Sequence, residues 1–179
     1  MPRGQLLIWR ERILFVLTAM AVTYLAILPL GAKSNAAAVP DLFYCTTIAW
    51  VMRRPESAPV FLVAAASFLI DIVLGRPMGL WSLILVLASE YFRGRETGKG
   101  MQMRLLEWLS VSLLFLVMLI VYKFALTIGF AFSPNYTALA WHFLITAVAY
   151  PVVVAVLYWG LNIRAPLPAD RSRSMGRVS

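Results

Sequence analysis

Long apolar blocks separated by short basic stretches are the feature that most constrains this chain. The six blocks run from 13 to 30, 36 to 52, 58 to 74, 78 to 92, 105 to 132 and 138 to 161. Charged residues make up only 13% of the 179 residues, against about 25% in soluble domains. A lipid bilayer is the solvent that suits such blocks. The sequence therefore predicts an all-α integral membrane protein with six transmembrane helices.

The blocks differ in length, and this predicts unequal, tilted helices. Block 78–92 is short against the roughly 20 residues that cross a bilayer upright, whereas block 105–132 is too long to stand upright. Within block 36–52, Pro40 favours the start of a helix and leaves 41–52 after it. We predict a membrane domain over 1–164. Residues 165–179, rich in Pro, Arg and Ser, are expected to form a disordered cytoplasmic tail.

The distribution of the sixteen Lys and Arg residues predicts the topology. With six crossings and a cytoplasmic start, thirteen of them fall on the inner side. Lys33 and Arg76 fall outside, and Lys123 lies within a block. If block 36–52 failed to cross, the number of Lys and Arg residues on the inner side would drop to four. Because basic loops are retained in the cytoplasm, we predict six crossings with both termini inside.

A cleaved signal peptide is an alternative interpretation of the first block. A basic segment precedes this apolar run, and Ala36-Ala37-Ala38 resembles a cleavage site with small residues. The run is longer than usual for a signal peptide, and its removal would leave five spans with an external start. We therefore favour the six-helix topology.

Charge, cysteine and histidine usage argue against several classes of function. The net charge of +8 is explained by topology and by attraction to anionic membrane lipids, so we expect no nucleic-acid partner. The single cysteine, Cys45, excludes an internal disulfide. One histidine, His142, has no Cys or carboxylate at metal-ligand spacing. No nucleophile lies beside a base, so we expect no enzyme activity, catalytic residue, metal or cofactor.

Ionisable side chains in the outer part of the predicted membrane form the first candidate site. Each costs about 2.5 to 3.5 kcal/mol unless it is paired or solvated. These residues are Asp41, Asp71, Arg76, Lys123 and His142. We predict that Asp71 pairs with Lys123 or Arg76, and that Ser67 can donate to its carboxylate. The cluster is either a structural anchor between helices or a partner-binding site open to the outer compartment.

Basic residues on the inner side form the second candidate site. They are Arg53, Arg54, Arg93, Arg95 and Lys99. The loop 93–104 is either a flexible segment facing lipid or a docking surface for a cytoplasmic partner. Glu90 and Glu107 are expected to form weak interfacial pairs with the arginines of this loop. We therefore expect Asp71→Ala to impair function more than Glu107→Ala.

Tryptophans near the block ends predict an aromatic belt at the membrane surfaces. The six are Trp9, Trp50, Trp81, Trp108, Trp141 and Trp159. In this interpretation they need no binding role.

One stretch of the chain resembles a known family signature. Residues 68–80, FLIDIVLGRPMGL, resemble the signature of the rod shape-determining MreD family: an apolar helix with an Asp, then a Gly, then Pro-x-Gly-Leu opening the next helix. The turn residues of this motif are Gly75, Pro77 and Gly79. The run VPDL at 39–42, the run WVMRRP at 50–55, EYFR at 90–93 and the pair Tyr150-Pro151 are similar to the alphaproteobacterial branch. Pro77-Met78-Gly79 departs mildly from the Pro-Leu-Gly or Pro-Pro-Gly of many relatives.

The resemblance implies a non-enzymatic scaffold of the bacterial inner membrane. Such proteins bind MreC and act with MreB, the RodA polymerase and its transpeptidase in cell elongation and peptidoglycan synthesis. It also implies a helix arrangement similar to the substrate-binding subunits of energy-coupling-factor vitamin transporters. A binding subunit of a small-molecule transporter is therefore the alternative. That alternative predicts an enclosed polar pocket between the helices near the outer surface.

Overall fold

The chain is all-α over the residues that the computed structural model describes, which are 3–28, 39–93, 95, 101–130 and 136–160. These residues form six helices and no strand: α1 (Arg3–Ile27), α2 (Leu42–Arg53), α3 (Val60–Val73), α4 (Leu80–Phe92), α5 (Met101–Phe130) and α6 (Tyr136–Gly160). One helix falls on each predicted block, although α1 begins well before residue 13. The predicted tail 165–179 and Lys99 lie outside the described residues.

Helix α2 forms the centre of the bundle. Every residue from Phe43 to Arg53 is buried, and α2 packs against α1, α4 and α6. The Tyr44 hydroxyl also donates to the Val111 carbonyl of α5 at 2.8 Å. The Trp50 ring meets Phe15 of α1 edge to face, with centroids 5.5 Å apart. A short helix that is apolar on nearly every side is stable where other helices surround it.

Consecutive helices run in opposite directions, which gives the bundle two ends. At the start of α2, the Asp41 N–H donates to the Thr146 hydroxyl of α6 at 3.0 Å. At the other end of α2, Arg53 meets Glu107 in the second turn of α5. The turn between α3 and α4 returns to the first end, where Arg76 pairs with Asp41. We call these the Asp41 end and the Arg53 end.

The surface of the bundle is strongly apolar, and its mostly apolar interior also contains polar and charged side chains. The buried polar and charged residues are Asp41, Thr46, Thr47, Arg53, Ser57, Ser67, Asp71, Ser82, Ser89, Ser112 and Thr146. The exposed face of α5 carries Leu105, Leu106, Leu109, Leu113, Val117, Ile120, Val121, Phe124 and Ile128. Residues Met101–Gly129 of α5 and the whole of α6 are long and apolar enough to cross a membrane. The helices α3 and α4 are apolar but shorter.

The tryptophans differ in burial, and this corrects the prediction of a belt for two of them, while Trp108 is partly buried. Trp50 and Trp81 are buried in the core, because neighbouring helices cover both rings. Trp9, Trp141 and Trp159 are exposed. On α6 the last two flank an apolar face and stand about 27 Å apart at 1.5 Å per residue. This is close to the roughly 30 Å of a bilayer's hydrocarbon core.

Candidate functional sites at the two ends of the bundle

Asp41 begins helix α2 and ties it to two other elements. Its side chain accepts from the Tyr44 N–H at 2.9 Å, which is the bond expected of an N-cap aspartate. Its second carboxylate oxygen lies 3.5 Å from Arg76 Nη1. The backbone N–H of Asp41 connects α2 to α6 through Thr146, and the Asp41 carboxylate connects α2 to the turn between α3 and α4 through Arg76.

Asp71 joins the end of α3 to the start of α4. The N-cap of α4 is Gly79, which has no side chain to accept the first free N–H groups of the helix. Asp71 Oδ2 supplies that acceptor from the preceding helix, taking bonds from Ser82 N at 3.1 Å and Ser82 Oγ at 2.6 Å. A negative charge is also favoured at a helix N-terminus by the helix dipole.

The backbone of the motif turn explains its two glycines. Gly75 has φ +64° and follows the last turn of α3, where its N–H donates to Ile72 O at 3.2 Å. The Arg76 N–H donates to Asp71 O at 2.9 Å, which completes a Schellman ending of the helix. Gly79 has φ +83° where α4 begins. Both conformations favour glycine because it lacks a Cβ atom.

Arg76 projects from this turn toward the start of α2. Its guanidinium carbon lies 5.1 Å from the centroid of the Trp81 ring, in addition to the ion pair with Asp41. The sequence predicted Arg76 or Lys123 as the partner of Asp71. In the structure the Ser82 N–H and hydroxyl donate to Asp71 and Arg76 pairs with Asp41, so the prediction is wrong for Arg76.

Ser67 also differs from the prediction. Its hydroxyl donates to Val63 O at 2.8 Å and Ala64 O at 3.1 Å within its own helix. Two buried polar atoms at this end have no hydrogen-bond partner among the described residues, Asp71 Oδ1 and Trp81 Nε1.

Aromatic rings fill the interior next to the Asp41 end. Phe115 lies at their centre, with ring centroids 4.7 Å from Tyr44, 6.2 Å from Trp81 and 5.6 Å from His142. Trp81 also meets Tyr122 at 5.1 Å. These rings come from α2, α4, α5 and α6 and occupy the space between those helices.

The other two predicted residues of the Asp41 end lie on α5 and α6. A ring nitrogen of His142, Nδ1, is 2.9 Å from Val39 O, which holds the segment before α2 against α6. Lys123 follows Tyr122 on α5 and is partly buried. All five predicted outer residues therefore lie toward the same end of the bundle.

A buried network at the Arg53 end connects α2, α5 and α6. Arg53 Nη2 donates to Glu107 Oε1 at 2.8 Å, and the Tyr150 hydroxyl donates to the same oxygen at 2.6 Å. Arg53 Nη1 also donates to Ala49 O at 3.0 Å in the last turn of α2. The Arg53 and Glu107 side chains are only 9% and 8% exposed. The pair is thus largely withdrawn from solvent.

The turn between α2 and α3 is held by neighbours on both sides. Glu11 of α1 accepts a hydrogen bond from the Ser57 hydroxyl and lies 3.7 Å from Arg54 Nη1. On the opposite side, Arg93 donates to Pro55 O at 2.7 Å and to Ala58 O at 2.8 Å. Its Nε pairs with Glu90 at 2.7 Å, in line with the prediction for that glutamate.

Only some residues of the predicted basic surface are therefore exposed. Arg53 is buried, because α5 and α6 close over it. Arg54 and Arg93 are partly exposed, and Arg95 is exposed with its guanidinium carbon 4.0 Å from the Tyr91 ring centroid. The prediction for Glu107 as a weak partner of the loop arginines is wrong, since it pairs with Arg53 instead.

Sequence reasoning missed Ser82, Tyr150 and Glu11 as members of the two sites, and it assigned Glu107 to the wrong arginines. The position of Ser82 at N3 of a helix with a glycine cap is the signal that could have found it. Tyr150, Glu11 and Glu107 make contacts with residues far away in the chain, which no local pattern reports.

The described residues define an all-α helix bundle with polar contacts inside and an apolar exterior. They hold no group of three or more His, Cys, Asp or Glu side chains arranged to bind a metal ion. In comparisons with known proteins, no family model, curated protein or solved structure matches this chain.

Proposed function

We propose that this chain is a multi-pass inner-membrane scaffold of the MreD type, with six membrane crossings and both termini in the cytoplasm. In this proposal the chain binds MreC and helps to couple MreB filaments to RodA and its transpeptidase during cell elongation. The Arg53 end faces the cytoplasm and the Asp41 end faces the outer compartment. The role is non-enzymatic.

The distribution of polarity is the observation that carries the membrane part of the proposal. A soluble bundle exposes mainly polar and charged side chains, whereas this bundle exposes Leu and Val along α5 and α6 and also buries the charged residues Asp71 and Arg53 in its apolar core. Exposed apolar surface on this scale favours a lipid environment or a partner that covers it. Helices shorter than the bilayer, such as α2, are accommodated because other helices surround them.

The local structure of the motif supports the family part of the proposal. Asp71, Gly75 and Gly79 each have a distinct physical role in one unit: the cap of α4, the ending of α3 and the start of α4. A signature whose residues all serve one turn is a coherent structural feature. The resemblance therefore rests on residues that the fold needs together, and not on scattered apolar matches.

The packing of the Asp41 end favours a scaffold over the transporter alternative. A substrate-binding subunit needs a concave pocket with a few convergent polar groups. Here the rings around Phe115 occupy the space between α2, α4, α5 and α6, and Asp41 is engaged in capping and pairing. Binding a solute between these four helices would require these rings to move apart.

Copurification tests the proposed function. We expect tagged chain, extracted in mild detergent from cells that also express the MreC of the same genome, to retain MreC at a fixed ratio. An unrelated tagged membrane protein of similar helix count provides the control. Recovery without MreC but with a stoichiometric small molecule would contradict the scaffold and favour the transporter subunit.

A further inference from the structure

An apolar groove runs between α1 and α3 near the Arg53 end. Its volume is about 500 Å³, within the usual range of roughly 300 to 1,000 Å³ for ligand sites. Trp9, Ile13 and Leu17 line the α1 side, and Phe61 and Ala65 belong to the α3 side. The side chains of Phe61, Trp9 and Ile13 are 88%, 59% and 56% exposed, so the groove opens sideways where lipid would lie.

Among the side chains that the structure describes, one charged side chain, Arg12, lines this groove. Its guanidinium carbon lies 5.5 Å from the Trp9 ring centroid, and its Nε is buried without a hydrogen-bond partner among the described residues. The neighbouring carboxylate, Glu11, is engaged by Ser57 and Arg54. Arg12 thus brings a positive charge to the lining of an otherwise apolar groove.

We propose that this groove binds one anionic phospholipid, with an acyl chain between α1 and α3 and the headgroup phosphate on Arg12. The inference rests on the proposed topology, which places Arg12 at the cytoplasmic leaflet, where anionic lipids give a negative surface potential. An arginine is suited to phosphate because its guanidinium presents planar paired donors. Trp9 at the same level is typical of a side chain at the membrane interface.

Native mass spectrometry of the purified full chain in mild detergent tests this site. The probes are phosphatidylglycerol and phosphatidylcholine with identical acyl chains. We expect one bound phosphatidylglycerol at concentrations where phosphatidylcholine binds at least about tenfold less, because loss of a charge-assisted hydrogen bond changes affinity by this order. Equal retention of the two lipids would overturn the proposal.

Three variants separate the groove from general charge. Arg12→Gln should lower phosphatidylglycerol occupancy about tenfold, and Ala65→Phe should lower it comparably by filling the groove without changing charge. Arg10→Gln is the matched control, because Arg10 is exposed on the same helix and does not line the groove. The phosphatidylglycerol occupancy of Arg10→Gln should stay within about twofold of that of the unmodified chain. An equal loss in Arg10→Gln, or lipid-free dimers that close the groove, would contradict the site.

The thermal unfolding of each variant in lipid-free detergent shows whether it is folded. If Arg12→Gln does not fold, Ala65→Phe alone decides the outcome, since Ala65 lies on an exposed face of α3. Lipid binding is measured without MreC. A negative result here therefore leaves the scaffold proposal intact, and a failed MreC copurification leaves the lipid site intact.

Discussion

Glu107→Ala is expected to destabilise the bundle by about 3 to 5 kcal/mol, because it leaves the Arg53 guanidinium buried without its carboxylate. The Tyr150 hydroxyl loses its acceptor in the same change. The free energy of unfolding in detergent micelles, measured by titration with denaturant, gives the value directly. Helix association between α2, α5 and α6 is the part of the fold that weakens.

Glu90→Ala is the matched control for this change. It removes a glutamate that also pairs with an arginine at 2.7 Å, but the Glu90 side chain is 38% exposed. An exposed pair is worth about 0 to 1 kcal/mol, so the loss should be several times smaller than for Glu107→Ala. Equal effects of the two variants would show that the buried network does not contribute beyond a surface pair.

Asp71→Ala is expected to cost about 2 to 3 kcal/mol, because the first turn of α4 loses the acceptor of Ser82 N and Ser82 Oγ. The same unfolding titration measures the loss. Asp71→Asn is the conservative variant, since its amide oxygen can still accept both bonds. It should recover most of the stability.

Ser82→Ala separates the two hydrogen bonds. It removes the hydroxyl donor but keeps the backbone N–H, so we expect a loss of about 1 kcal/mol in the free energy of unfolding.

Unchanged stability in Asp71→Ala would contradict the role of the Asp71 carboxylate as the cap of α4. The structure also removes the reason to rank Asp71→Ala above Glu107→Ala, because both carboxylates are buried in interhelical contacts.

The six helices could be predicted from the sequence because apolar blocks and basic loops are local features. The start of α2 was predicted at Pro40 and lies two residues later, after the cap Asp41, and the turn at Gly75 was predicted from the motif, since both features depend on neighbouring residues. In both cases the signal lies within a few residues of the feature.

The contacts between helices could not be predicted in the same way. Glu107 meets Arg53 across 54 residues and Tyr150 across 43. Such a pair depends on how far each helix is rotated and shifted against its neighbour, and the apolar pattern of a helix with no polar face does not determine this. For the same reason Trp81, placed near a block end, was predicted at the membrane surface and lies in the core.

The orientation of the two ends is the central claim, and cysteine accessibility in intact spheroplasts tests it most directly. Met78→Cys lies in the turn of the Asp41 end and Arg95→Cys follows α4 at the Arg53 end, and both side chains are exposed. The native Cys45 is fully buried and serves as an unlabelled background. We predict that a membrane-impermeant maleimide labels Met78→Cys in intact spheroplasts and Arg95→Cys only after permeabilisation. Labelling of Arg95→Cys from outside, or of both positions from the same side, would contradict the account.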